Sequence, residues 1–221
     1  MFVPVEIPAI LSPEEVHHTC SVLREATWEN GANTAGPVAA SVKHNLQARD
    51  ERANIVELRH RVVGLVQAHP LFAAVVRPQT LGVMFSLYKE QAEYGRHVDA
   101  AQMSGVRRDV SFTIWLSEPD AYDGGELEIE SPFGETRYKL VAGSAIVYPA
   151  TALHSVTRVT RGARLVIVGW ARSFVRDPAQ RELLLELDLV KNRLFEQHGK
   201  IIEVDLLSKC SANLMRMWME D

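Results

Sequence analysis

The chain has 221 residues, 47% of them hydrophobic and 24% charged, with a formal net charge of −4. That balance suits a globular protein able to bury a sizeable core, and the absence of any arginine- or lysine-rich block argues against nucleic acid as a partner. Cys20 and Cys210 stand far apart outside any CxxC pattern, which excludes a disulfide framework or a zinc knuckle as a reading. The start, Met1 to Glu6, lacks the basic-then-apolar order of a signal peptide, and no apolar run approaches the ~18 residues of a membrane span. The expectation is therefore no membrane and a reducing, cytoplasmic compartment.

In chain order, Ser12, Pro13 and Glu15 form a capping signature that predicts a helix over 12–26. The glycine- and asparagine-rich stretch 28–37 reads as loop. A second helix is expected over 50–68, stopped by His69-Pro70. The pattern then changes to short strands at 83–88, 109–116, 126–129, 136–140, 145–148, 155–159 and 164–171. Turn residues punctuate them, as in a sandwich or barrel. The last is almost wholly apolar after Arg164, as a central strand would be. Asp177-Pro178 opens a further helix, with Leu183, Leu184, Leu187, Val190, Leu194 and Phe195 at helical spacing and Gly199 as its C-cap. A final amphipathic helix is expected over 206–218. The layout predicts a mainly β fold with flanking helices. Residues 1–81 form a helical N-terminal part, 82–172 the β core, and 173–221 a helical extension packed on it. If the leucine-rich helix carries more apolar surface than the core covers, a homodimer is the next expectation.

The chemistry concentrates at His97-Val98-Asp99, just after a predicted strand. Alternate residues of an extended segment point the same way, so an imidazole and a carboxylate face one point. His154 opens a later strand. Two histidines and one carboxylate make the facial triad that binds non-haem Fe(II) while leaving positions open for a co-substrate and O2. His17, His18, His44, His60, His69 and His198 are read as structural or surface groups.

Arg164 heads a buried strand, where a guanidinium needs an anion. The far carboxylate of a dicarboxylate co-substrate would serve, as would a core carboxylate such as Glu126. Tyr88 is placed to hydrogen-bond the same co-substrate or to pack in the core, and Tyr94 is left open between those roles. Trp170 is read as core, Arg161 as solvent-facing, and Asn45 and Gln47 as lining a pocket opening or capping a turn. The loops 100–107 and 118–125 flank the site, with Gly124-Gly125 as a hinge if they act as lids.

The order Tyr88, His97-Val98-Asp99, His154, Arg164, Trp170 resembles the 2-oxoglutarate- and Fe(II)-dependent dioxygenases of the prolyl 4-hydroxylase type. More closely, the chain resembles the bacterial PKHD-type hydroxylases, the PiuC-like proteins linked with iron uptake. Trp28 to Gly36 with Lys43 and Asn45, Gly95 to Ala100, Asp109 to Leu127, Arg161 to Asp177 and Ala212 to Trp218 carry that likeness. The resemblance implies a double-stranded β-helix, a cupin-like jelly-roll core. It implies Fe(2+) on His97, Asp99 and His154, 2-oxoglutarate held by Arg164, and L-ascorbate as an accessory reductant. The implied reaction couples oxidative decarboxylation of 2-oxoglutarate, giving succinate and CO2, to hydroxylation of an unknown substrate by O2. Halogenating relatives carry a small residue where Asp99 stands, so halogenation is disfavoured. The alternatives are a non-catalytic iron or 2-oxoglutarate sensor and a cupin-like metalloenzyme that does not use 2-oxoglutarate.

Overall fold

The computed structural model describes residues 3–48 and 52–220. The chain opens with β1 (Val5–Ile7) and α1 (Pro13–Leu23), whose N-cap Ser12 accepts a hydrogen bond from the Glu15 amide. Glu15 does not complete a capping box; its carboxylate takes both donors of Arg61 instead. The stretch expected as loop holds β2 (Trp28–Asn30), a 3-10 turn over Gly31–Thr34 and the short α2 (Pro37–Ala40). Two further short strands follow, β3 (Lys43–His44) and β4 (Leu46–Ala48). The helical N-terminal part therefore also supplies four strands. The expected start of the second helix at residue 50 lies outside the described residues; α3 covers Ala53–Ala68. His69-Pro70 ends it and also begins α4 (Pro70–Val76), with the His69 side chain accepting from the Phe72 amide.

The strands that follow are β5 (Pro78–Tyr88), β6 (Glu93–His97), β7 (Gln102–Met103), β8 (Val106–Arg107) and β9 (Val110–Trp115). Next come β10 (Tyr122–Asp123), β11 (Leu127–Ser131), β12 (Gly134–Tyr138), β13 (Ala145–Pro149), β14 (His154–Val156), β15 (Arg161–Gly162) and β16 (Arg164–Ser173). The chain closes with α5 (Pro178–His198), capped by Asp177, and α6 (Ile202–Trp218).

Two antiparallel sheets carry the core. The larger has the order β1-β13-β9-β16-β5-β4-β2 and the smaller β12-β11-β14-β6-β3. This is the jelly-roll arrangement, with helices flanking it. The period of two along each strand sorts the large sheet's side chains onto two faces. On one face Phe85, Phe112, Ile114, Val147 and Ile167 bury against Ile55, Leu58, Val62 and Phe72 of the helices. On the other, Tyr88, Trp115, Ile146, Tyr148 and Val166 meet Leu127, Ile129 and Val156 of the small sheet. Gly169 of β16 makes one close approach: a Cβ there would sit 2.1 Å from the Phe112 ring.

The α5–α6 hairpin is tied to the body at Asp188, which takes Arg77 and Lys191 in ion pairs and accepts from Ser211 of α6. Leu184 is fully buried, whereas Leu183, Leu189, Val190 and Phe195 are exposed. Much of the leucine-rich helix thus lies outside the core, which is the condition attached to a homodimer. Among the described residues no helix is long and apolar enough to cross a membrane.

Candidate active site

The strand register brings the two histidines together. His97 ends β6, His154 opens β14, and the two are direct antiparallel partners. Their ring centroids lie 4.2 Å apart. Asp99, two residues past His97, brings its Oδ2 to 4.0 Å from His154 Nε2. One ligand atom from each of the three residues lies within 4.8 Å of the others.

The tautomers are set locally. His97 Nδ1 is 2.9 Å from the Gly95 carbonyl, and His154 Nδ1 is 3.0 Å from the Ala152 carbonyl. A carbonyl only accepts, so each Nδ1 carries a proton, and Nε2 is the nitrogen left to meet a metal. Burial, then the neighbouring His154, pushes the His97 imidazolium well below the usual histidine range. A neutral ring is what a metal needs. Asp99 is fixed from the opposite sheet, where Ser111 Oγ donates to its Oδ2 at 2.5 Å. Two imidazoles and a carboxylate on one side of a common point fit Fe(II) with open positions.

Arg164 is the second anchor. It is 1% exposed, and its Nε and Nη1 have no hydrogen-bond partner. It stands opposite Tyr88 in the sheet, with its cation 5.0 Å from the Tyr88 ring centroid and 5.7 Å from that of Trp115. Glu126, the rival partner, accepts from Thr157 Oγ1 at 2.5 Å. Burial raises the Tyr88 phenol, and the nearby Arg164 cation opposes that rise. An uncompensated buried guanidinium is costly, so the site is built for an anion.

His97, Asp99, His154, Arg164 and Tyr88 share one cavity of about 450 Å³. Asn45 and Gln47 line it, and both Asn45 side-chain polar atoms lack partners. Tyr94 stacks on His97 at 3.6 Å. Trp170, expected in the core, lines the cavity and carries the Arg108 guanidinium 4.1 Å above its ring. Of the two flanking loops, 100–107 contributes Ala100, Gln102 and Met103 to the lining. The 118–125 segment is pinned by pairing of β10 with β15 and lines no part of it. Arg161 is exposed and paired with Asp123, as a solvent-facing residue.

Sequence reasoning assigned no role to Ser111, Arg108 or Tyr148, and quoted Lys43 only within the resemblance. For Lys43 a signal existed: Lys43, Asn45 and Gln47 alternate, and polar residues with a period of two mark one face of an extended segment. Ser111 had none, because its contact with Asp99 crosses between sheets.

The model of the 2OG-Fe(II) oxygenase superfamily matches residues 83–172. A PKHD-type hydroxylase of Picosynechococcus sp. (strain PCC 7002) is 46% identical over 97% of this chain and 99% of its own length. One of Maricaulis maris is 44% identical over 98% and 99%. Among solved structures, a Pseudomonas putida prolyl-4-hydroxylase superposes with a TM-score of 0.56 at 23% identity, covering 78% of this chain and 94% of that one. The viral collagen prolyl hydroxylase of Paramecium Bursaria Chlorella virus-1 gives 0.51 at 18% identity, covering 77% and 95%. At these identities the likeness to the solved structures is one of fold.

Proposed function

The chain belongs to the 2OG-Fe(II) oxygenase superfamily, among the PKHD-type hydroxylases, and from that premise we propose a residue-level account of its reaction. As a 2-oxoglutarate-dependent iron dioxygenase it couples conversion of 2-oxoglutarate to succinate and CO2 with hydroxylation of a substrate. In our reading His97, Asp99 and His154 hold Fe(2+), and Arg164, with Tyr88, holds the far carboxylate of 2-oxoglutarate. The catalytic unit is 82–172, with 1–81 and 173–221 as its supports. Both cysteines are free thiols, in keeping with a reducing cytoplasm.

Ferrous iron, when bound, supplies the redox chemistry that lets O2 react. The protein's part is geometric. The Gly95 and Ala152 carbonyls hold both imidazoles in the ligating tautomer. Ser111 orients the Asp99 carboxylate. Arg164 fixes one end of the co-substrate so that its other end meets the metal side of the cavity, and the apolar walls keep bulk water out.

The observation that carries this reading is Arg164: fully buried, unpartnered at two donors, and facing the cavity of the triad. Replacing a charged hydrogen-bond donor to a carboxylate costs about 1.5–3 kcal/mol, or roughly 10- to 150-fold in affinity. Arg164→Ala is therefore expected to weaken 2-oxoglutarate binding by at least about tenfold with metal binding kept. Titration of the anaerobic Fe(II) protein, followed by its visible charge-transfer band, reads this directly. Full 2-oxoglutarate affinity in the variant contradicts the assignment.

A further inference from the structure

Two more cations face the same cavity, and neither is used by the co-substrate reading. Lys43 is 7% exposed; its Nζ donates to Thr34 Oγ1 at 3.0 Å and lies 5.1 Å over the Tyr94 ring. Arg108 is half-buried, its Nε is sealed from solvent without a partner, and its guanidinium rests on Trp170. Neither makes an ion pair with a described residue. The neighbouring Arg107 shows the contrast: it is neutralised by Asp109 and Glu220 and takes no part in the lining.

The charges that line the cavity do not balance. The lining holds Lys43, Arg108 and Arg164 against one carboxylate, Asp99. A divalent metal and a dianionic co-substrate cancel each other, so the surplus of positive charge remains after both are in place. Position separates the two cationic ends. Arg164 and Trp170 both lie on the inner face of β16, six residues apart, or ~20 Å at the strand rise. A five-carbon dicarboxylate anchored on Arg164 does not reach the guanidinium over Trp170. Ser111 is the sheet partner of Trp170 and holds Asp99, so the metal side of the cavity adjoins the Arg108 end.

We propose that the primary substrate is a small organic molecule bearing an oxyanion, a carboxylate above all, gripped by Lys43 and Arg108 with Trp170 as its platform. The inference rests on the iron and 2-oxoglutarate reading above and names the substrate class of that site. A cavity of about 450 Å³ is of small-molecule size, and Lys43 lies too deep for a surface contact. The oxyanion would supply the acceptor that the sealed Arg108 Nε lacks and a charged partner for the Lys43 ammonium, while an aromatic face beside the guanidinium orders it. The C–H bond to be oxidised then lies within one small molecule's length of its anionic group.

The test uses the full-length anaerobic protein with Fe(II) and saturating 2-oxoglutarate. The probes are N-acetyl amino acids and short-chain acids, each beside its uncharged carboxamide, with N-acetylphosphoserine amide beside N-acetylserine amide. Perturbation of the charge-transfer band reports binding next to the metal, and succinate release after O2 reports turnover. The expected result is a response to anionic members and none to their neutral partners. Arg108→Gln and Lys43→Gln should weaken it at least tenfold, Arg108→Lys should recover much of it, and the 2-oxoglutarate band should persist in each. A response confined to the phosphoserine amide keeps the cationic grip and changes the oxyanion. Equal responses from neutral members, no response from any anionic member, or an unchanged response in both Gln variants overturns the proposal. So does loss of the 2-oxoglutarate band in those variants, which would assign the cations to the co-substrate. Failure of the underlying reading is seen separately, as absence of that band in the wild-type protein before any probe is added.

Discussion

Two carbonyls, each two residues upstream of a histidine, decide which nitrogen is left for the proposed iron. Asp99, the third proposed ligand, is steadied differently, by a hydroxyl from the opposite sheet. Outer partners of this kind typically govern metal affinity by 10–100-fold. Ser111→Ala is accordingly expected to weaken Fe(II) binding by about tenfold or more while leaving the fold intact, since it removes one small buried oxygen. Competition with a chelator of known affinity measures it, and unchanged affinity removes Ser111 from the account. Lys43 gives a pH dependence. Burial holds its ammonium down at about 8, with Asp99 pulling it up and Arg108 pushing it down. Tyr94 and His97 are its other titratable neighbours. Its charge is lost progressively as pH rises through about 8. Between there and the ordinary lysine value the unfolded chain binds the extra proton, so this group makes the fold more stable as pH rises through that window. Binding of an anionic substrate should therefore weaken as pH climbs past about 8, while 2-oxoglutarate affinity, resting on an arginine, stays level. A pH profile of both constants decides it; parallel profiles go against a role for Lys43.

At the scale of elements, the tight spots lie where strands carry the site. Gly125 has φ +68°, and a Cβ there would stand 3.0 Å from the Tyr122 and Val159 side chains and 3.1 Å from Arg164 Cδ. Its neighbour Gly124 comes closer still, with a Cβ 2.0 Å from the Arg158 carbonyl oxygen. These glycines permit close packing behind Arg164 and do not form an open hinge. Gly125→Ala should displace the guanidinium and raise the Kd for 2-oxoglutarate several-fold in protein that still folds; an unchanged Kd in folded variant shows that Arg164 is positioned otherwise. The long strands were legible from sequence because β9 and β16 are dense in β-branched and aromatic residues. β6 was not. Glu93-Tyr94-Gly95-Arg96-His97 shows no apolar alternation, and it is a strand because β14 and β3 flank it. The segment from Trp28 to Ala48 likewise looks like loop by its glycine and asparagine. Pairing with β5 and β6, distant in the chain, makes strands of it and turns Lys43, Asn45 and Gln47 into the cavity wall.

The whole molecule separates its burdens between two faces of one sheet. The helix-facing side is apolar and continuous; the inner side mixes aromatic packing with buried Arg164, Ser111 and Thr113. The triad and Arg164 could be read from the sequence because each ligand type is fixed by the metal's chemistry and by the order of the motif. The substrate end proposed above could not, because it is assembled from β3, the residue after β8, and the second half of β16, which only the finished sheets bring together. The claim on which everything else stands is that this assembly binds one iron on His97, Asp99 and His154 and uses it with 2-oxoglutarate. Anaerobic titration with Fe(II) and 2-oxoglutarate, then an O2 pulse with succinate counted per chain, tests it most directly. The account predicts a visible charge-transfer band saturating at one iron per chain, succinate after O2, and loss of both in His154→Ala. Stoichiometric iron and succinate formation surviving in His154→Ala, or no band in the wild-type protein, would contradict it.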